Sequence, residues 1–361
     1  MKLLHVVGTR PNFVKMAPVI AALRAIDPDG RHVLVHTGQH YDRMMSGIFL
    51  DELGVPEPDH MLGVGSGSHA VQLGGVLEAI APVLTGEEPD LVIVPGDVNS
   101  TLAASLACAH LRIPLAHVES GLRSYDRTMP EEVNRVLTDQ VSDLLFTHSP
   151  EAAGNLAAEG IGDERIHLVG NTMIDSLVAL EDRFRGLGAC AGHGLEAGSY
   201  LLVTLHRPAL VDGPLLDAAI AALAAVSESM PVLFPVHPRT RAALGGAAAG
   251  LPPGLQLTDP VGYLEFLSLE ADAGAVLTDS GGIQEESTYL GVPCFTLRDN
   301  TERPITVEHG TNHLLGLDPK RIESVPRLVS EAPRGAPEPP PLWDGRAAER
   351  LARVVADRLA S

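Results

Sequence analysis

Leu3–Val19 reads LLHVVGTRPNFVKMAPV, and this stretch sets the class of fold. A strand-length apolar run, Leu3–Gly8, passes through Gly8-Thr9-Arg10 into a helix-length segment opened by Pro11. A proline fits there because the first turn of a helix has no use for its missing N–H. Strand, glycine turn and helix make up the repeating unit of a parallel sheet with crossover helices. The unit recurs. Further strands are expected at His32–Thr37, Leu91–Pro95, Pro114–Val118, Leu144–His148 and Ile166–Val169. In the second half they are expected at Tyr200–Thr204, Val232–Val236, Leu255–Thr258, Ala275–Thr278 and Val292–Leu297. Most are continuous apolar runs, as strands covered on both faces require. The expected class is therefore α/β, with two doubly wound halves.

The 361 residues exceed one compact core and fit two domains, expected over 1–170 and 171–343. The Gly/Ala-rich Arg185–Ser199 lies near the change, and the proline-rich Ala332–Pro341 reads as an extended connector to a last helix, Asp344–Ala360. A formal charge of −20 argues against a general nucleic-acid surface. No apolar run reaches the ~18 residues of a membrane helix, and MKLLHVVGTR lacks the long apolar segment of a signal peptide. A cytoplasmic protein with no membrane partner is the expectation. Cys108, Cys190 and Cys294 are widely spaced, so they read as buried small hydrophobes, not as a disulfide or zinc framework. No His/carboxylate set has metal-ligand spacing on one element, so no metal is implied.

Ligands of open α/β sheets bind beyond the carboxyl ends of the strands, so residues there carry the functional reading. Arg10 follows the first strand at a helix N-terminus, and Lys15 lies about one turn on. Two cations beside exposed backbone N–H groups make an anion site; incidental charge on a strand–turn–helix is the plain alternative. Lys15 stands out because the only other lysines are Lys2 and Lys320. Asp97 follows Leu91–Pro95, Glu119 follows Pro114–Val118, and Glu131 opens the helix in Met129–Arg135. Capping accounts for Asp97 and the helix dipole for Glu131 and Glu132. Yet three carboxylates at one rim exceed that need, and grouped carboxylates can exchange protons. In the second half, His206 and His237 end two strands, each next to an arginine. Thr278–Glu286, TDSGGIQEE, runs from a strand through Ser280-Gly281-Gly282 into a helix. Such a turn lets backbone N–H groups approach a phosphate, with Glu286 one turn inside for ribose hydroxyls. Phe266 could stack on a base or simply pack in the core. Gly63–Gly67, GVGSG, lacks the strand context of a dinucleotide fingerprint, so no nicotinamide cofactor is expected.

Taken in order, these stretches resemble the non-hydrolysing UDP-N-acetylglucosamine 2-epimerase family. The resemblance is carried by GTRPNFVKMAPV (Gly8–Val19), TGQHYDRMM (Thr37–Met45), GDVNST (Gly96–Thr101), HVESGLRS (His117–Ser124), MPEEVNR (Met129–Arg135) and VGNTMID (Val169–Asp175). TLHRP (Thr204–Pro208), HPRT (His237–Thr240), DSGGIQEE (Asp279–Glu286) and RDNTERPITVEHGTN (Arg298–Asn312) extend it to about residue 320.

The resemblance implies two Rossmann-like domains facing a cleft, like GT-B glycosyltransferases. It also implies a UDP-sugar as substrate, no cofactor and a homodimer serving polysaccharide biosynthesis. It places Arg10, Ser280, Gly281 and Gly282 at the diphosphate, Glu286 at the ribose and Phe266 at the base. Arg303 joins the substrate-binding set, with Lys15 and His237 near the reacting sugar. Asp97, Glu119, Glu131 and His206 match the catalytic set. The implied reaction is elimination of UDP and its re-addition through 2-acetamidoglucal. A hydrolysing 2-epimerase, a GT-B glycosyltransferase and a nucleotide-binding protein without turnover are the rivals. One departure stands out: many relatives read His-Arg-x-Glu-Asn where this chain has His206-Arg207-Pro208-Ala209-Leu210.

Overall fold

The computed structural model describes residues 1–38, 52–65, 67–236, 238–244, 250–331 and 338–360. The chain forms two compact units, Met1–Ala179 with Pro341–Ser361, and Leu180–Pro340. Each carries one all-parallel sheet between helices, so the two Rossmann-like, doubly wound halves expected from the strand pattern are present. Among the described residues no helix is long and apolar enough to cross a membrane.

In unit 1 the strands are β1 (Lys2–Val7), β2 (Arg31–His36), β3 (His60–Met61), β4 (Leu91–Pro95), β5 (Leu115–Val118), β6 (Leu144–Thr147) and β7 (Ile166–Leu168). Their spatial order is β3-β2-β1-β4-β5-β6-β7, so the winding reverses between β1 and β4. One face of the sheet packs Phe13, Met16, Ile20 and Leu23 of helix Arg10–Ile26 together with Leu351, Ala352 and Val355 of helix Ala347–Ala360. The latter helix is fixed at its start by Asp175, whose carboxylate accepts from the N–H groups of Ala347 (3.1 Å) and Ala348 (2.6 Å). Those are two of the amides that a helix leaves without internal partners.

In unit 2 the strands are β8 (Leu201–Thr204), β9 (Val232–Pro235), β10 (Leu255–Thr258), β11 (Ala275–Thr278), β12 (Cys294–Thr296) and β13 (Asn312–Leu314). Their order is β10-β9-β8-β11-β12-β13, with reversal between β8 and β11. Leu210, where the family pattern has Asn, is buried in the apolar cluster with Leu205, Val211 and Leu216. The division between units falls inside helix Thr172–Arg185, whose first turns are tied into unit 1. Ser176 Oγ bonds the Val14 carbonyl there. The three cysteines are free and buried.

Candidate functional site

Where the winding of an open sheet reverses, the loops leaving two neighbouring strands turn to opposite faces and open a crevice. In unit 1 those loops follow β1 and β4. Gly8 lies so close to Ser100 that a Cβ would collide with its hydroxyl. Asn12 locks the turn, its Oδ1 accepting from the N–H groups of Gly8 (3.0 Å) and Thr9 (3.2 Å). Helix Arg10–Ile26 therefore starts at the crevice. It leaves Arg10 part-exposed and sends Lys15 into the interior, where Nζ donates to Glu119 Oε2. Both side chains are under 10% exposed (8% and 6%), so this pair is desolvated. Gly96 makes the space for it: a Cβ there would stand 3.1 Å from Lys15 Nζ and 3.3 Å from Glu119 Oε2.

Asp97 and Glu119 follow adjacent strands, β4 and β5. Glu119 adopts the left-handed backbone conformation at φ +66°, costly for any residue with a Cβ, and such strain collects at functional sites. Asp97 is held by Arg135, whose Nε donates to Oδ2 at 3.2 Å. The same guanidinium gives Nη1 to Glu132 Oε2 at 2.7 Å. Glu132 is buried and also accepts from the N–H groups of Ser124 and Tyr125, each at 2.9 Å, so it organises the loop before the helix. The side chain of Glu131, half-buried in the first turn, makes no hydrogen bond or ion pair among the described residues. Behind the loop, His117 Nε2 donates to the Gly96 carbonyl (2.7 Å) and Nδ1 faces Asp139 Oδ1 (2.7 Å).

The unit 2 crevice follows β8 and β11. Thr204 and Thr278 are register partners, so His206 and Asp279 emerge side by side. Asp279, buried, accepts at Oδ2 from the N–H groups of His206 (2.8 Å) and Arg207 (2.7 Å). Its Oδ1 stands 3.0 Å from His206 Nδ1, which leaves the ring's Nε2 on the side away from the aspartate. Ser280 precedes helix Gly281–Leu290. At Gly281 a Cβ would collide with the Arg303 guanidinium, which is buried and paired with Glu302 (2.6 Å) and Glu285 (3.1 Å). Arg303 thus braces the glycine turn.

Glu286 is buried one turn further on and accepts from Tyr263 Oη at 2.8 Å. Burial pushes its carboxyl up to about 7, the neighbouring Glu285 adding to the rise against the Tyr263 bond. Burial likewise raises Tyr263 and Glu270 well above their ordinary ranges. Phe266 is half-buried and packs on the cluster containing Leu202, Leu233 and Leu269. His237 and part of Thr37–Met45 lie outside the described residues, and among those described no group of His, Cys, Asp or Glu could hold a metal ion.

Sequence reasoning missed Arg135, Glu132 and His117 in unit 1 and Asp279 in unit 2 as the groups that orient the expected residues. Residues 24–356 match the family described as UDP-N-acetylglucosamine 2-epimerase. The chain belongs to this family. A UDP-N-acetylglucosamine 2-epimerase of Methanococcus maripaludis is 41% identical over 360 residues, 97% of each chain. A UDP-2,3-diacetamido-2,3-dideoxy-D-glucuronate 2-epimerase of Pseudomonas aeruginosa is 43% identical over 321 residues, 88% of each. The crystal structure of the Methanocaldococcus jannaschii UDP-GlcNAc 2-epimerase in complex with UDP-GlcNAc and UDP has a TM-score of 0.89 at 39% identity, covering 99% of this chain and 100% of that one. As a member of the 2-epimerase family, the chain carries an oriented carboxylate pair in unit 1 and an oriented histidine beside a glycine turn in unit 2.

Proposed function

We propose that the chain interconverts UDP-N-acetylglucosamine and UDP-N-acetylmannosamine at C2 without net hydrolysis. The observation that carries this reading is the pair of carboxylates at neighbouring strand ends, Asp97 and Glu119, each bonded to its own buried cation, Arg135 and Lys15. Inversion needs proton acceptance on one face of C2 and donation on the other, and fixed acid–base groups meet that need. A carboxylate of the set Asp97, Glu119 and Glu131 takes the C2 proton. The C–H electron pair becomes the C1=C2 bond, and the C1–O bond breaks with its electrons leaving on UDP. Re-addition of UDP to the resulting 2-acetamidoglucal, with protonation of the opposite face, gives the epimer. Arg10, the Ser280-Gly281-Gly282 turn and His206 stabilise the charge that develops on the diphosphate.

Incubation in heavy water tests the elimination: solvent deuterium appears at C2 of both epimers, read by NMR. Retention of the original hydrogen in an epimerised product rejects it. UDP and free N-acetylmannosamine accumulating in step with turnover would instead identify the hydrolysing reaction. The Pseudomonas aeruginosa relative favours including its diacetamido sugar nucleotide in the same assay.

With Glu286 assigned to the ribose, UDP affinity becomes pH-dependent. The raised carboxyl holds its proton below about 7, so the stability it contributes is present at low pH and lost as pH rises through about 7. Ribose hydroxyls donate hydrogen bonds and favour the ionised form. Affinity therefore rises with pH and levels off above about 7, the drop being about tenfold per pH unit below it. Calorimetry of wild type against Glu286→Gln separates this from the titration of UDP itself. Identical pH slopes in the two proteins would remove Glu286 from the ribose.

A further inference from the structure

Helix Pro130–Val141 carries Glu131, Arg135 and Asp139 at successive i,i+4 positions, one stripe along one face. Glu131 belongs to the acid–base set and Arg135 holds Asp97, but Asp139 has no part in the chemistry above. Its side chain is fully buried, and a carboxylate taken out of water needs donors. Those it has come from one short stretch of chain. His117 Nδ1 stands 2.7 Å from Oδ1, while Oδ2 accepts from the Gly121 N–H at 3.2 Å and faces Arg123 Nη1 at 2.7 Å. Arg123 is anchored in turn, its Nε and Nη2 donating to Glu159 at 2.7 and 2.6 Å.

His117 and Gly121 lie two residues before and two residues after Glu119. Between them the backbone enters the left-handed region, which a residue with a Cβ keeps only where its surroundings over-determine it. The main chain supplies part of that constraint. Gly96 N–H donates to the Val118 carbonyl at 2.9 Å, and Ser120 N–H donates to the Phe146 carbonyl at 3.0 Å. Asp139 supplies the rest, because one carboxylate joins residues 117 and 121 into a clasp around the strained position. The far end of the clasp cannot drift: Gly121 is itself at φ +80°, and a Cβ there would collide with the Ala152 carbonyl.

We propose that Asp139 is a positioning residue for Glu119, holding the strained backbone that presents the Glu119 carboxylate to Lys15. Through His117 and the Gly96 carbonyl it also steadies the turn that carries Asp97. One helix thereby sets all three carboxylates: Glu131 directly, Asp97 through Arg135, and Glu119 through Asp139. The inference rests on the reading of Glu119 as one of the groups acting at C2. Were the backbone at 119 to relax, its carboxylate would move, and a displacement of about 1 Å costs on the order of 10²-fold in rate.

Asp139→Leu tests it by removing every acceptor while keeping a branched side chain. Its kcat should fall about hundredfold, with KM and the dissociation constant of UDP kept within about twofold, the pattern of a contribution made only in the transition state. Asp139→Asn is the conservative partner: its Oδ1 still serves Gly121 and Arg123, and its Nδ2 bonds the His117 ring, so kcat should return to within about fivefold of wild type. Wild-type kcat in a folded Asp139→Leu overturns the proposal, as does an Asp139→Asn as impaired as the leucine variant. Should Asp139→Leu not fold, His117→Phe opens the clasp at one end and is read for the same loss of kcat, with wild-type turnover again overturning the proposal. Glu119→Gln is measured beside them. Wild-type turnover in Glu119→Gln, or a wild type that epimerises no UDP-sugar, removes the acid–base reading of Glu119 instead. Positioning is then decided by the NMR Cα shift of Glu119: loss of its left-handed value in the folded variant supports the proposal, and an unchanged shift overturns it.

Discussion

Asp97→Asn should lower turnover by about 10²–10⁴-fold, the usual contribution of a positioned acid–base group, while UDP affinity stays within about threefold. The expectation depends on how little else Asp97 holds in place. Its loop is fixed by main-chain bonds: Asn134 Nδ2 donates to the Asp97 carbonyl (2.9 Å) and His117 Nε2 to that of Gly96 (2.7 Å). The carboxamide keeps one oxygen for Arg135, and Arg135 keeps Glu132. Shape and packing therefore survive, and what disappears is the capacity to accept a proton. The diphosphate groups assigned in unit 2 are untouched by the change. Steady-state kinetics and calorimetry with UDP check both halves of the claim, and wild-type turnover in a folded variant would strike Asp97 from the acid–base set.

Much of this arrangement was legible from strands. Continuous apolar runs located β1, β4, β5, β8 and β11 to within a residue or two, because buried parallel strands carry their burial in every side chain. Asp97, Glu119 and His206 followed from standing just past such runs. The strands not anticipated, His60–Met61 and Asn312–Leu314, are two and three residues long and owe their form to pairing with β2 and β12. No run that short carries a period.

The orienting residues were illegible for a related reason. Asp279 meets His206 because β8 and β11 are neighbours, and that adjacency of strands far apart in the sequence belongs to topology, not to local pattern. The same holds for Lys15 and Glu119. Nor does any local signal announce the left-handed backbone at Glu119, which a Gly or Asn would have advertised. Gly281 was readable as part of a glycine turn between strand and helix, but nothing local announced the close approach of Arg303, which leaves no room for a side chain there. For the unit 1 pair, the spacing of Glu132 and Arg135 at i,i+3 was the available clue.

Replacing that arginine should produce the largest stability effect in unit 1. Arg135 is buried and neutralises two carboxylates, Glu132, itself buried, and Asp97. Removing one partner of a buried pair costs about 3–5 kcal/mol, since the remaining charge has left water without compensation. Arg135→Met keeps the bulk and removes the charge, so its loss should fall in that range. Arg135→Lys should recover only part of it, because an ammonium cannot present the fork that reaches both acids. The two units need not unfold together, so the probe must belong to unit 1 alone. Trp343, the sequence's single tryptophan, meets that need: it is buried in unit 1 and donates from Nε1 to the His148 carbonyl at 3.1 Å. Urea unfolding followed by its fluorescence should shift to a lower midpoint in Arg135→Met, and adding Glu132→Gln should restore part of the loss, the non-additivity expected of direct partners. An unchanged midpoint in Arg135→Met, or strict additivity with Glu132→Gln, would mean that the bridge between the helix and the Asp97 loop carries no weight in holding them.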